Sequence, residues 1–113
     1  MMKKIEAIIR QEKLDKVRIA LEAIGYPGMT TYEVRGHGKQ KGLVQQWRGQ
    51  EYKVDFISKL KIEIVVLEQD LGKTLNAIMT SARTGEVGDG KIFVSSIENA
   101  IRVRTGDSGD DAL

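Results

Sequence analysis

The stretch "LKIEIVVL", Leu60–Leu67, decides the fold because its apolar side chains recur at every second position, with Lys61 and Glu63 between them. Alternation of this kind is typical of a β-strand with one buried face. The stretch "KKIEAIIR", Lys3–Arg10, alternates in the same way. These two segments predict the central strands of a sheet that is covered on one side.

Helical periodicity follows each of these two strands. In "KLDKVRIALEAIG", residues 13–25, the apolar positions that share one helical face are Leu14, Val17, Ala20, Leu21 and Ile24. Gly25 is placed to end this helix. A second helix is predicted after Asp70, which we expect to cap it, and before Gly85. Its apolar positions are Leu71, Leu75, Ile78, Met79 and Ala82.

Three further segments predict strands: "TTYEVRG" (Thr30–Gly36), "KIFVSS" (Lys91–Ser96) and a short "IRVRTG" (Ile101–Gly106). The order of elements is then β-α-β, a long gap, and β-α-β-β. This is the split βαβ plan of a ferredoxin-like α+β sandwich, here with a short extra C-terminal strand. We expect a single domain over residues 1–113 with a frayed tail at 106–113.

The predicted sheet has one face without a covering layer. Ile8, Val65 and Leu67 lie on the sides of their strands that the two helices would leave open. Exposed apolar side chains in such a position favour contact with further copies of the chain. We therefore expect a homo-oligomer.

Composition excludes several function classes. A net charge of +2 does not imply a polyanion partner, and 5% aromatic residues provide little base-stacking surface for nucleic acid. The absence of cysteine removes disulfides and thiolate metal sites. No apolar run approaches the roughly 20 residues of a membrane span, and "MMKKIEAIIRQEK" is too charged for a signal peptide. We expect a cytoplasmic protein.

The gap between the second and third strands of this plan, residues 36–59, is far longer than a hairpin loop. It shows no sustained helical or strand period, is locally basic, and contains Trp47 and Tyr52. A plain linker would be richer in serine, proline and glutamate. We interpret the segment as a mobile arm that becomes ordered on contact with a partner.

Glycine-rich segments lie at two predicted strand ends. In "TGEVGDGKIFV", Thr84–Val94, three glycines either form a simple turn or present backbone N–H groups to an anion, with Lys91 as the charge. The arm opens with "GHGKQKG", a second Gly-X-Gly-Lys. In "IRVRTG", Arg102 and Arg104 alternate with apolar residues and would leave one side of a strand. Taken together, these segments favour phosphate binding, because guanidinium groups match phosphate oxygens with two donors.

These motifs, with "WRGQEY" and "VDFISKLKIEIVV", resemble the PII nitrogen-regulatory signal proteins from about Met2 to Gly106. The resemblance implies a homotrimer that binds ATP or ADP between subunits and, with Mg²⁺ and ATP, 2-oxoglutarate. The implied nucleotide site comprises Thr30, Gly38, Lys39, Gln40, Glu63, Val65, Gly88, Asp89, Gly90, Lys91, Arg102, Val103 and Arg104. The implied 2-oxoglutarate site comprises Gly38, Gln40, Lys41, Lys59 and Gly88, with Gln40 as a ligand of Mg²⁺.

The resemblance also assigns the arm a role. Tyr52 matches a tyrosine that some bacterial relatives uridylylate, and Arg48, beside Trp47, matches an arginine that relatives insert into an ammonium channel. The implied partners are an ammonium transporter or enzymes of nitrogen metabolism, with a membrane reached only through the transporter. Trp47 and Gln50 depart from the modification signature, so an unmodified Tyr52 that packs against a partner is the alternative.

The resemblance favours a sensor protein that catalyses no reaction. Two other functions remain as alternatives. A small phosphate-handling enzyme could use the same fold, although the sequence offers no cysteine and only His37, on a loop, as nucleophile or base. An RNA-binding sheet would need paired stacking aromatics, which "RGHGKQ" and "KIFV" do not supply. The sequence therefore predicts no catalytic residue.

Overall fold

The computed structural model describes residues 1–37, 44–47, 50–53 and 56–113, with side chains described over 1–37 and 56–113. Its elements are β1 (Met2–Ile9), α1 (Leu14–Ala23), β2 (Thr30–Gly36), β3 (Val44–Trp47), β4 (Gln50–Lys53), β5 (Ile57–Leu67), α2 (Leu71–Ala82) and β6 (Lys91–Ile97). Four strands form an antiparallel sheet in the order β2-β5-β1-β6. The predicted ferredoxin-like fold is confirmed.

Strand register separates the sheet into two chemically different faces. Ile5 is paired with Ile64 and Ala7 with Ile62, so alternation places these residues on one side, under the helices. We call this side the helix face, and its buried members are Ile5, Ala7, Ile9, Leu60, Ile62, Ile64 and Val66. The opposite side, the open face, carries Lys4, Glu6, Ile8, Lys61, Glu63, Val65, Leu67 and Phe93.

The two helices cover the helix face with the stripe that their periodicity predicts. Val17, Leu21 and Ile78 are fully buried in the core. One position differs, since Met79 is 42% exposed and Thr74 is buried in its stead. Thr74 is tolerated there because its hydroxyl donates to the carbonyl oxygen of Asp70 at 2.7 Å. Neither helix, nor any other among the described residues, is long and apolar enough to cross a membrane.

Asp70 does not cap α2 as the sequence suggested. It precedes the helix, but its side chain makes no capping hydrogen bond. Its carboxylate instead accepts a hydrogen bond from the hydroxyl of Tyr26 and lies 3.2 Å from the amine of Lys73. These two contacts, the tyrosine first, lower the pKa of Asp70. The carboxylate thus ties the turn before β2 to the start of α2.

The arm contains a β-ladder that its sequence did not predict. β3 and β4 pair antiparallel, from Val44 opposite Lys53 to Trp47 opposite Gln50. β5 also begins at Ile57, inside the segment assigned to the arm. Cross-strand pairing can hold a short ladder whose own sequence lacks alternation. The proposed mobility of the arm stays a prediction, and ten of its residues lie outside those described.

The predicted fifth strand is wrong, and the last residues are folded back. Ile101 makes only a single bridge, to Ser108, and the chain turns between them. The backbone N–H of Gly106, which has a φ of 75°, donates to the carbonyl of Arg102 at 2.8 Å. A strand needs a neighbour along its length, and this turn ends the pairing. Where a frayed tail was expected, Gly109–Ala112 form a 3-10 turn.

Candidate functional site

A cleft lies where the arm leaves the sheet. Gly36 at the end of β2 is paired with Ile57 at the start of β5, so the two ends of the arm are adjacent. Both residues line a cleft of about 550 Å³ together with Lys59 and the loop formed by residues 84–91. We call this segment the glycine loop. The sheet therefore places the base of the arm and the glycine loop around one space.

Gly90 fixes the glycine loop against β1. Its φ is +101°, a backbone angle that residues with a side chain rarely adopt. A Cβ at this position would lie 1.7 Å from the carbonyl oxygen of Ile8. Gly88 also has a positive φ, of 103°. The glycines of the motif thus allow the loop to pack against the β1 backbone and to adopt positive φ angles. A site that binds an anion through backbone N–H groups requires such a conformation.

Asp89 organises the glycine loop from within. Its carboxylate accepts hydrogen bonds from the hydroxyl of Thr84 and from the backbone N–H groups of Thr84 and Gly85, the latter two at 2.9 Å. The Thr84 hydroxyl, these two N–H groups and the guanidinium of Arg10 hold the pKa of Asp89 well below its usual range. The carboxylate is therefore ionised and engaged inside the protein, so it supports the loop and is not itself a group that would meet a phosphate.

Arg10 is a member of the site that the sequence reasoning missed. Its Nη2 donates to the carbonyl oxygen of Val87 at 3.0 Å, and its Nε lies 3.3 Å from Oδ1 of Asp89. The residue follows β1 directly, and the alternation of that segment predicted only a strand. The signal available in the sequence was a cation at the end of a central strand. Its contact with a loop 79 positions away is visible only in the fold.

Lys59 is buried at the floor of the cleft, with only 7% of its surface exposed. Its amine donates to the carbonyl oxygen of Gly88. Loss of solvation, followed by the nearby charge of Arg10, lowers the pKa of Lys59. Lys59 and Arg10 are therefore close enough to repel each other, while the carboxylates of Glu12 and Asp89 attract the Lys59 amine. An anion entering the cleft would offset the unfavourable proximity of these cations.

Glu63 and Thr30 lie farther along the open face. They are directly paired across β5 and β2. The carboxylate of Glu63 lies 3.4 Å from the amine of Lys61 and 3.5 Å from that of Lys4. Although burial alone would raise the pKa of Glu63, the hydrogen bond from Lys61 and the charges of both lysines lower it overall. Glu63 is thus an ionised acceptor on this face.

In a single chain, the predicted ligand-binding residues form two separate groups. Lys59 and the glycine loop lie at one end of the sheet, where Lys91 is paired with Ile8. Val65 lies six positions beyond Lys59 on β5, about 20 Å away at the rise of a strand. The predicted phosphate-binding residues Arg102, Val103 and Arg104 follow the opposite end of β6, in the C-terminal turn.

The remaining predicted residues are placed incompletely. Gly38, Lys39, Gln40, Lys41 and Arg48 lie outside the described residues. Trp47 and Tyr52 belong to the paired strands β3 and β4, of which the backbone is described. Among the residues with described side chains, no three His, Asp or Glu groups cluster in a way that could hold a metal ion.

Nearly the whole chain is similar to known proteins. A model of the family "Nitrogen regulatory protein P-II" matches residues 2–107. A nitrogen regulatory protein P-II of Nostoc punctiforme is 54% identical over 112 residues, which cover 99% of this chain and 100% of the relative. A nitrogen regulatory protein P-II 2 of Methanothermobacter thermautotrophicus is 51% identical, covering 99% and 97% respectively. These relatives are named as regulatory proteins.

A solved structure shares the fold. The crystal structure of Arabidopsis thaliana PII bound to citrate superposes with a TM-score of 0.82 at 41% sequence identity. The alignment covers 99% of this chain and 92% of that one. The agreement extends over both helices and the four-stranded sheet, and so includes the elements that form the cleft.

Proposed function

The chain belongs to the nitrogen regulatory protein P-II family, and from this premise we propose that it is a cytoplasmic sensor of cellular energy, carbon and nitrogen. It binds ATP or ADP at the glycine loop and, with Mg-ATP, also 2-oxoglutarate. The arm then engages or releases a target protein according to the ligand bound. The protein performs no chemistry of its own in this role.

One observation carries the proposal: the two ends of the arm and the glycine loop line the same cleft. Gly36 and Ile57, from which the arm departs, are paired with each other and both line this cleft, so a ligand that fills it contacts them. A ligand shifts a conformational equilibrium when it interacts differently with the two states. Occupancy of the cleft therefore has a direct route to the conformation of the arm.

The charges around the cleft favour a polyanionic ligand. Lys59 and Lys91 line the cleft, and Arg10 contacts the glycine loop at Val87 and Asp89. Asp89 is held by hydrogen bonds within the glycine loop and by Arg10, so its carboxylate is engaged inside the protein. The backbone N–H groups of the glycine loop and the amine of Lys91 can bind phosphate oxygens, whereas the amine of Lys59 can pair with a small carboxylate. The citrate bound by the Arabidopsis relative supports small polycarboxylates as ligands of this fold.

A second copy of the chain is needed to complete the nucleotide site. The glycine loop lies at one end of the sheet, and Val65, Arg102 and Arg104 lie toward the other. In a head-to-tail arrangement, the loop of one copy meets the second group of its neighbour, and a closed ring repeats this site at every junction. We propose a homotrimer, with Thr30, Glu63 and Val65 of a neighbour around the adenine.

Mg²⁺ couples the two ligands. The ion prefers oxygen ligands and takes most of them from phosphates. Gln40 would give one oxygen to the ion, and oxygens of the triphosphate and of the 2-oxo acid would supply the others. 2-Oxoglutarate then binds only when Mg-ATP is present, which is a coupling free energy between two ligands.

Calorimetry of 2-oxoglutarate with and without Mg-ATP tests this proposal. We expect binding heat only in the presence of Mg-ATP, and its loss in Gln40→Ala, with a more than tenfold weaker affinity. Gln46→Ala is a matched control, because it removes the same side chain from the paired arm strand. Binding that is independent of Mg-ATP, or equal effects of the two substitutions, would overturn the coupled site.

The arm supplies the contact with the target, either an ammonium transporter or an enzyme of nitrogen assimilation. Trp47 ends β3, and Arg48 follows it in the sequence. Tyr52 lies in the returning strand, where modification or packing against a partner would act on the same surface. The transporter would be supported as the target if the protein captures it in the presence of ADP but not of Mg-ATP with 2-oxoglutarate. Arg48→Ala should then abolish this capture.

A further inference from the structure

The C-terminal segment is a closed loop held by its own hydrogen bonds. The backbone N–H of Gly109 donates to the carbonyl of Ala100 and to the side-chain oxygen of Asn99, both at 3.0 Å. Between these anchors, Ile101 bridges to Ser108 and the chain turns. We call residues 99–109 the C-terminal loop. Its conformation is set locally, so the orientation of its side chains is a property of the single chain.

The two arginines of this loop are in different states. Nη1 of Arg102 lies 3.2 Å from Oδ2 of Asp107, and its Nη2 donates to the carbonyl oxygen of Leu113 at 3.3 Å. Arg104, two residues later, is exposed and has no ion-pair partner among the described residues. One predicted phosphate-binding guanidinium is therefore already engaged by a carboxylate, and the other is available.

Asp107 is held in position for this contact. Its backbone carbonyl accepts a hydrogen bond from the N–H of Arg102 at 2.8 Å, which aligns the two residues across the turn. Its carboxylate also accepts a hydrogen bond from the hydroxyl of Thr105 at 2.9 Å. Because its carbonyl is bonded to the Arg102 backbone and its carboxylate to Thr105, Asp107 stays within the loop when the Arg102 side chain reorients.

We propose that Asp107 is an affinity-determining residue of the nucleotide site, because its carboxylate competes with the phosphate chain for the guanidinium of Arg102. The inference rests on the proposed function, in which Arg102 binds phosphate. Carboxylate and phosphate oxygens use the same donors of a guanidinium, so one replaces the other. ATP must therefore displace Asp107 before Arg102 can contribute, and the contact weakens binding relative to a free arginine.

The expected size of the effect follows from exposure. The side chains of Arg102 and Asp107 are 37% and 47% exposed. Half-exposed ion pairs are weak and exchange readily with other ligands. Removing the competing charge should therefore tighten ATP binding by about two- to fivefold. A larger gain would require a more buried pair than this one.

Calorimetric titration of the protein with ATP in the presence of Mg²⁺ tests the inference. Asp107→Asn should bind ATP about two- to fivefold more tightly than the unaltered protein. Asp110→Asn is the matched control, since it removes one charge from the same acidic tail without a side-chain contact to Arg102. It should leave the affinity nearly unchanged. Asp107→Ser provides a second variant, and thermal unfolding checks that each variant is folded.

A double-mutant cycle separates competition from a general effect. In an Arg102→Gln background, Asp107→Asn should no longer tighten ATP binding, because the group for which it competes is gone. Weaker ATP binding by Asp107→Asn would make Asp107 a positioning residue and overturn the inference. Equal effects of Asp107→Asn and Asp110→Asn would overturn it as well. Neither result touches the proposed function, whereas failure of the unaltered protein to bind ATP would overturn both.

Discussion

The two faces of the sheet are held by different forces. The helix face is packed from buried side chains such as Ile5, Ile62 and Val66, all of them fully enclosed. The open face combines half-buried apolar residues with a charged cluster around Glu63. At its end, the glycine loop is held by hydrogen bonds and charges from Arg10 and Lys59.

This difference separates stability from ligand binding. Burial of apolar surface is large and non-directional, so the helix face stabilises the fold whatever the loops do. Hydrogen bonds and partly exposed charges contribute less to stability but are directional. The open face and the glycine loop can therefore respond to a ligand while the helix face remains unchanged.

The largest effect is expected on the helix face. Ile62→Ala removes a fully buried side chain and should lower the free energy of unfolding by about 2–5 kcal/mol. Val65→Ala, on the same strand but on the half-buried open face, should cost only about 1 kcal/mol. Chemical denaturation of both variants measures the contrast. Equal costs would show that the two faces do not differ as described.

An intermediate effect is expected in the glycine loop. Gly90→Ala places a Cβ against the carbonyl of Ile8 at a positive φ and should cost about 1–3 kcal/mol, with loss of ATP binding. Gly72→Ala is the control, because a Cβ there meets nothing within 4 Å and the residue lies in α2. It should stabilise the protein by up to about 1 kcal/mol. If the two substitutions changed the stability in the same direction, the close approach of Gly90 to the carbonyl of Ile8 would be contradicted.

The smallest effect is expected from the charge of Asp89 and appears as a pH dependence. Its pKa in the folded protein is below the ordinary value of 3.8, so the unfolded chain binds the proton more readily. The stabilisation is therefore complete above about pH 4 and is lost as the pH falls further. Denaturation of the unaltered protein and of Asp89→Asn should give a stability difference that decreases steadily as the pH falls below about 4. A constant difference between them would exclude this role.

Much of the fold was predictable because its elements are periodic. The alternation of Leu60–Leu67 and the helical spacing of Val17 and Leu21 identify elements whose buried faces the structure confirms. The glycine loop was also identified from composition. The predicted fifth strand failed for a physical reason: alternation at Ile101–Arg104 does not provide a neighbouring strand, and Gly106 turns the chain instead.

The sequence by itself determined the four strands of the main sheet, both helices and the family, because periodicity and motif spacing are properties of neighbouring residues. Only the tertiary structure decided what the charged residues do. Arg10 reaches the glycine loop, Asp89 is used inside that loop, and Asp107 engages Arg102. These residues are either far apart in the sequence or brought together by a turn of the backbone. Their contacts depend on distance and direction in three dimensions, which no pattern along the chain encodes.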